Sequence, residues 1–383
     1  MKVLILSSNN GGGHNAVAQA LQEYYEARGD ICVIRDCLSF LSARASRLVS
    51  HTHSFVYRHT PRLFGAAYRM TEQRNNAFCE NRRERRLMDK GRLALGIYIQ
   101  QEGFEQVLCT HVFAAMMLTS AKREYDLSIK TAIIETDYTN TPGSAENDVE
   151  FHFIPDRSLI PELVQAGVDR SKIVVSGIPV RQEMFDPCDK KLAKTYQGIA
   201  PDLPHVLVMG GSMGCGPIPD IVTSLYLSLG ENTIISVVCG ENERLKKSLV
   251  EDFGHLKTIR ILGYVQGMSS LYDSADLLLT KPGGITVTEA AVKGLPMVLI
   301  DSVSGCEAHN LQHFVTQGAA VACQNINNLG PLCCALLLDT STLARMQRSL
   351  LEYASLRASE IIYATMKEDG RSASCLQEPE TGI

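Results

Sequence analysis

Lys281-Pro282-Gly283-Gly284-Ile285-Thr286-Val287-Thr288-Glu289-Ala290 is the stretch from which the fold of this chain can be read. The apolar run Leu277-Leu278-Leu279 before it reads as a buried strand. After it, Thr288 to Lys293 reads as a helix ended by Gly294. Two glycines between strand and helix let the backbone approach a ligand closely, and a new helix offers unpaired N–H groups. Such a helix mouth suits a phosphate or diphosphate. Glu289, about one turn inside, does not suit phosphate, but it can accept hydrogen bonds from the two adjacent hydroxyls of a ribose. The same residues also fit a plain glycine turn with Glu289 placed for the helix dipole.

Working outward, short apolar strands alternate with helices on both sides. Upstream are Val3–Leu6, Ile31–Ile34, Gln106–Cys109, Thr131–Ile134, Phe151–Ile154 and Ile173–Val175; nearer are His205–Met209, Thr233–Val238, Ile259–Leu262 and Pro296–Ile300. The expectation is α/β: two Rossmann-like domains facing each other across a cleft. Their boundaries are set at 1–185 and 186–383, with an irregular, proline-bearing linker over 186–204 and a last helix within Ser341–Met366 crossing back. A chain of 383 residues is long enough for two cores.

Each half opens with a glycine loop after its first strand: Gly11-Gly12-Gly13-His14, and Gly210-Gly211-Ser212-Met213-Gly214. The first loop also imitates a dinucleotide fingerprint. Gly11, Gly13 and Ala16 have the spacing and Asp36 lies about twenty residues on, so a nicotinamide-dependent oxidoreductase is an alternative. His14 argues against it, because a titratable ring stands where close cofactor packing is wanted. In an open parallel sheet the loops after the carboxyl ends of the strands line the ligand crevice. His14, His111, Asp137 and Arg181 all fall in such loops.

The composition is mildly acidic, with a formal net charge of −5, which disfavours a general nucleic-acid binder. The twelve cysteines have no zinc-finger or Cys-x-x-Cys spacing and read as small buried hydrophobes in a reducing compartment. The N-terminal apolar run is too short for a signal peptide, and no run is long enough to span a bilayer; a soluble intracellular chain is expected. Residues 43–92 differ from the rest. Arginines including Arg82, Arg83, Arg85 and Arg86 outnumber acids there and alternate with Phe55, Tyr57, Phe64 and Tyr68. That mixture suits an anionic membrane surface, although a solvated helix pair would share it.

Gly11 to His14, Gly210 to Gly214, Ile178-Pro179-Val180-Arg181, Gly263-Tyr264-Val265 and Lys281 to Ala290, in this order, resemble the monogalactosyldiacylglycerol synthase and processive diacylglycerol glucosyltransferase family. These are relatives of the enzyme that adds N-acetylglucosamine to lipid I. The resemblance implies a GT-B fold and an inverting, metal-independent transfer of a hexose from a UDP-sugar to a lipid such as diacylglycerol. The UDP-sugar is a co-substrate and no cofactor is expected; the site is peripheral, on the cytoplasmic face of the membrane. It implies that Glu289 holds the ribose. Gly283, Gly284, Ile285, Thr286 and Ser212 would hold the diphosphate, flanked by Gly13, Met213 and Gly214 and with Arg181 nearby. Val265 would bind the uracil through its main chain. A UDP-N-acetylglucosamine transferase or 2-epimerase is the neighbouring alternative.

Two departures stand out. Relatives often carry a Gly-Gln-Glu stretch where this chain has Gly305-Cys306-Glu307, leaving Glu307 and Asn310 to read sugar hydroxyls. They also place an aromatic, often tryptophan, soon after the Thr-Asp pair, and this chain has no tryptophan. The chemistry needs a base for the acceptor hydroxyl and donors for the departing diphosphate. His14 is the expected base by position, with Asp137 as its orienting partner or rival.

Overall fold

The computed structural model describes residues 1–9, 12–41, 82–211, 214, 216–300 and 305–368, with side chains from residue 90 onward in the stretch that starts at 82. The first sheet is formed by β1 (Lys2–Ser7), β2 (Ile31–Asp36), β3 (Gln106–Cys109), β4 (Lys130–Ile134), β5 (Phe151–Ile154) and β6 (Ile173–Val175). Its helices are α1 (Gly12–Glu26), α2 (Arg82–Glu102), α3 (Val112–Glu124) and α4 (Ile160–Gln165). After α5 (Lys190–Tyr196) comes a second sheet of β7 (His205–Met209), β8 (Ile234–Val238), β9 (Ile259–Leu262), β10 (Leu277–Thr280), β11 (Met297–Ile300) and β12 (Ala320–Cys323). Around it stand α6 (Ile218–Leu229), α7 (Glu243–Phe253), α8 (Ser269–Ser274), α9 (Gly284–Val292), α10 (Cys306–Thr316) and α11 (Leu329–Leu338). The chain ends in α12 (Thr340–Arg348), α13 (Leu351–Ser355) and α14 (Ala358–Lys367).

Both sheets are wholly parallel, in the orders β2-β1-β3-β4-β5-β6 and β12-β11-β10-β7-β8-β9. Parallel sheets carry helices on both faces, so their strands read as continuous apolar runs rather than alternating ones. Val3, Leu4, Ile5 and Leu6 are accordingly all fully buried, as are Leu277, Leu278 and Leu279. Strand order reverses between β1 and β3 in the first sheet and between β7 and β10 in the second. A crevice opens at each reversal, because the connecting helices leave in opposite directions there.

Helix α14 returns to the first sheet. Tyr363 stacks edge-on against Tyr25 at 4.8 Å, and Gln106 Nε2 donates to the Met366 carbonyl at 2.8 Å. The irregular linker expected over 186–204 contains a helix, α5: Asp189 caps it by accepting from Leu192 N at 3.0 Å, and Gly198 follows its end at φ +68°. Lys194 fixes this segment by donating to the Leu203 carbonyl at 2.7 Å and to Asp276 at 2.8 Å. One strand, β12, is too short and small-sided in Ala320-Val321-Ala322-Cys323 to be picked out of the sequence. The nine described cysteines are free, five of them buried. Most of the basic segment, 43–81, lies outside the described residues.

Candidate active site

The site grows from the two strand-order reversals. At the first, β1 leads into α1 and β3 ends at Thr110-His111. Helix α1 begins at Gly12, so His14 stands in its first turn rather than in a free loop. Its Nδ1–H donates to the Thr110 carbonyl at 2.6 Å, and the Thr136 hydroxyl lies 3.1 Å from the same nitrogen. A carbonyl can only accept, so this bond sets the neutral tautomer with the lone pair on Nε2. His111 supports the ring edge-on at 4.6 Å and itself caps α3, accepting from Phe113 N at 3.0 Å.

Beyond β4, Glu135-Thr136-Asp137-Tyr138 turns toward the second sheet. Burial raises the Asp137 carboxyl to about 6, and the nearby Glu307 charge adds to this. Hydrogen bonds from Asn310 and Thr136 act the other way: Asn310 Nδ2 donates to Oδ1 at 2.7 Å, and the Thr136 hydroxyl lies 3.5 Å from Oδ2. His14, Thr136 and Asp137 therefore form a continuous polar chain. Glu135 is buried just behind and is raised to about 7 by desolvation; it accepts from Thr141 at 2.6 Å and Ser144 at 2.5 Å.

At the second reversal, the Thr280 hydroxyl donates to the Met209 carbonyl at 3.1 Å, joining β10 to the end of β7. Helix α9 starts at Gly284, earlier than the sequence suggested, so Glu289 stands in its second turn. The first helical bond runs from Val287 N to the Gly283 carbonyl at 3.1 Å, which leaves the Gly284, Ile285 and Thr286 amides at the helix mouth. A Cβ on Gly284 would collide with the Thr136 carbonyl and lie 2.9 Å from Asp137 Oδ1. Gly13 faces the same helix start, 3.8 Å from Ile285 by the same measure. The two helix mouths thus converge on one place.

Glu289 is half-buried beneath them. Tyr272 donates its hydroxyl to Oε2 at 2.9 Å, leaving Oε1 to accept from a ligand. Burial pushes this carboxyl up to about 7, against the pull of Tyr272 and the Arg181 charge. Arg181 reaches toward α1, with Nη2 3.2 Å from Gln19 Oε1 and Nε 3.8 Å from Glu23. Gly214 sits at φ +53°, and its carbonyl accepts from Asn242 at 3.1 Å; a Cβ there would strike the Cys239 carbonyl. Val265 follows β9 and packs half-buried against the core. Ser212 and Met213 lie outside the described residues. Asp36, the acid of the dinucleotide-like reading, ends β2 and accepts from Leu38 N and Asn9 Nδ2, both at 3.1 Å, closing its own corner.

Asn310 is fully buried, and its amide already bonds Asp137, the Pro282 carbonyl at 2.9 Å and Tyr138 N at 2.7 Å. Sequence reasoning had no means of finding Tyr272, Thr110 or Thr136 as supports, since each depends on elements remote in the chain.

Two parallel sheets with converging switch points define a GT-B fold. The fold is shared with MurG of Acinetobacter baumannii, at a TM-score of 0.63 and 16% identity over 95% of this chain and 99% of that one. It is shared equally with the UDP-GlcNAc 2-epimerase of Neisseria meningitidis, at 0.62 and 15% over 96% and 99%. Fold alone does not separate transferase from epimerase; sequence does. Residues 14–180 match the family described as monogalactosyldiacylglycerol (MGDG) synthase, and 205–332 match the glycosyltransferase family 28 C-terminal domain. The processive diacylglycerol beta-glucosyltransferase of Bacillus licheniformis is 27% identical over 96% of this chain and 94% of its own length. Over nearly its whole length the chain is thus similar to the monogalactosyldiacylglycerol synthases and processive diacylglycerol glucosyltransferases, and the nicotinamide alternative is set aside.

Proposed function

We propose that this protein transfers a hexose from a UDP-sugar to a lipid hydroxyl, such as that of diacylglycerol, by a single inverting displacement that needs no metal. The observation that carries this reading is the placing of His14 and Asp137 from one switch point against the Gly283–Thr286 helix mouth of the other. The acceptor hydroxyl gives its proton to His14 Nε2 as it attacks the anomeric carbon. The imidazolium that forms is met by the Thr110 carbonyl and, through the Thr136 hydroxyl, by the Asp137 carboxylate. The bond to the diphosphate breaks on the opposite face, and the added charge on UDP falls on the α9 amides. Glu289 accepts from the ribose, Arg181 contributes positive charge nearby, and the Val265 main chain meets the uracil. Ser212, Met213 and Gly214 complete the phosphate loop, and Glu307 at the start of α10 reads sugar hydroxyls.

The lipid comes from a membrane. Among the described residues no helix is long and apolar enough to cross one. Helix α2, which starts within the basic segment, exposes Leu93 and Ile97 one turn apart, so apolar side chains follow the arginine run on the same element. The working position is thus peripheral, on the cytoplasmic face of an anionic membrane. Incubation of the protein with a panel of UDP-sugars and diacylglycerol-containing vesicles, read by mass spectrometry, should yield glycosylated lipid from one donor. Free sugar epimers with no lipid product would instead indicate the epimerase reading, and no consumption of any donor would overturn both.

A further inference from the structure

We propose that Asn310 is a positioning residue that completes the Asp137 site only when the two domains are docked, rather than a ligand of the donor sugar. This inference rests on the lipid-glycosyltransferase reading above. Asn310 belongs to α10 of the second domain, whereas Asp137 and Tyr138 belong to the corner after β4 of the first. The two N–H groups of its amide point at the Asp137 carboxylate (2.7 Å) and the Pro282 carbonyl (2.9 Å), which can only accept. Its oxygen receives Tyr138 N–H at 2.7 Å, which can only donate. The orientation of the amide is therefore forced by its partners. A sugar hydroxyl could gain an N–H only by displacing Asp137 or Pro282 from a fully buried group.

The neighbouring side chain fixes the same joint independently. Tyr138 is buried, its ring stacked on His313 of α10 at 4.3 Å and edge-on to Phe314 at 4.9 Å. Its hydroxyl lies 3.1 Å from Thr288 Oγ1 of α9, which in turn donates to the Gly284 carbonyl at 2.6 Å. Main chain by Asn310 and side chain by α9 and α10, residue 138 is held in the second domain on both counts. Asp137 sits one residue before this anchor, so the aim of its carboxylate toward Thr136 and His14 follows the domain joint. Nucleotide binding, built mostly from α9 and the glycine loops, does not need Asn310; turnover does.

The test compares the parent with Asn310→Ala, Asn310→Asp and Tyr138→Phe. Affinities for UDP and UDP-glucose are measured by titration, and turnover by the vesicle assay with the donor that the parent uses. Both Asn310 variants should lose at least about tenfold in kcat, while the ratio of UDP-glucose to UDP affinity stays within about twofold of the parent. The acid limb of the pH–rate profile should move upward in Asn310→Ala, since Asp137 loses a donor while Glu307, Glu135, Cys306, Tyr138 and, through Thr136, His14 still surround it. Tyr138→Phe, which keeps the ring and loses only the hydroxyl, should show the same split with a smaller loss. An affinity ratio that falls about tenfold with kcat retained at saturating donor would make Asn310 a sugar ligand and overturn the proposal. Unchanged kcat with an unmoved acid limb would overturn it as well. Should the parent transfer no sugar at all, the proposed function fails by itself. The joint is then read by hydrogen exchange: the Tyr138 amide must exchange at least about tenfold faster in Asn310→Ala or Asn310→Asp, and equal protection refutes it.

Discussion

The corner from β1 into α1 and the corner from β10 into α9 use one backbone device for two purposes. Each follows a strand beside a switch point, and each enters its helix through consecutive glycines. At Gly284 the missing side chain is required by protein packing, because the Thr136 carbonyl and Asp137 occupy that space. At Gly13 the nearest atom to a Cβ is an ordinary contact from Ile285, so packing alone does not ask for glycine there. The first corner then carries a titratable ring whose tautomer is set by Thr110, and the second carries open amides and Glu289. In the proposed reaction the convergent helix mouths divide the work: proton removal on one side, nucleotide departure on the other.

The division can be broken in order of expected effect. His14→Ala should cost roughly a hundred- to ten-thousand-fold in kcat while UDP affinity stays near that of the parent, because a base acts only in the transition state. Asp137→Asn is its partner experiment: if that variant abolishes turnover while His14→Ala retains it, the roles are exchanged. Gly284→Ala should lower stability by about 1–3 kcal/mol in denaturant unfolding, by overpacking against Thr136, whereas Gly13→Ala should stay within about 0.5 kcal/mol. Equal costs would erase the contrast between the corners.

A smaller effect concerns pH. Glu289 is raised from 4.5 to about 7 by burial, so the folded state holds a proton that the unfolded chain gives up as pH climbs between those values. Its contribution to stability therefore falls as pH rises through that window, and Asp137 and Glu135 act in the same direction. Glu289→Gln should flatten the loss of stability between about pH 4.5 and 8, measured by urea unfolding without nucleotide. A steeper loss would contradict the burial of this carboxyl. Least in size, replacing Arg82, Arg83, Arg85 and Arg86 by Ser should reduce co-sedimentation with anionic vesicles at low salt and leave UDP binding intact. Equal sedimentation would return these arginines to a solvated helix face.

Much of this was legible in the sequence because parallel strands buried on both faces leave uninterrupted apolar runs. Among the described residues, eleven of the twelve strands announce themselves that way; β12, with its two alanines and a cysteine, does not. Glycine pairs and the residues after strand ends located both corners. What remained hidden was long-range. No spacing rule joins His14 to Thr110, Glu289 to Tyr272, or Asn310 to Asp137, since those meetings depend on how strands are ordered and domains docked. Local signals also misplaced helix starts: glycine is a poor helix former, yet these two helices begin at glycines, Gly12 and Gly284.

The proposed function puts the nucleotide at the β10–α9 corner, and titration of UDP into the parent and Glu289→Ala tests that position. Loss of charge-assisted ribose hydrogen bonds should weaken UDP by about 2 kcal/mol, roughly thirtyfold, with the far-ultraviolet circular dichroism spectrum unchanged. Equal affinity in a folded Glu289→Ala protein would place the nucleotide elsewhere and contradict the account.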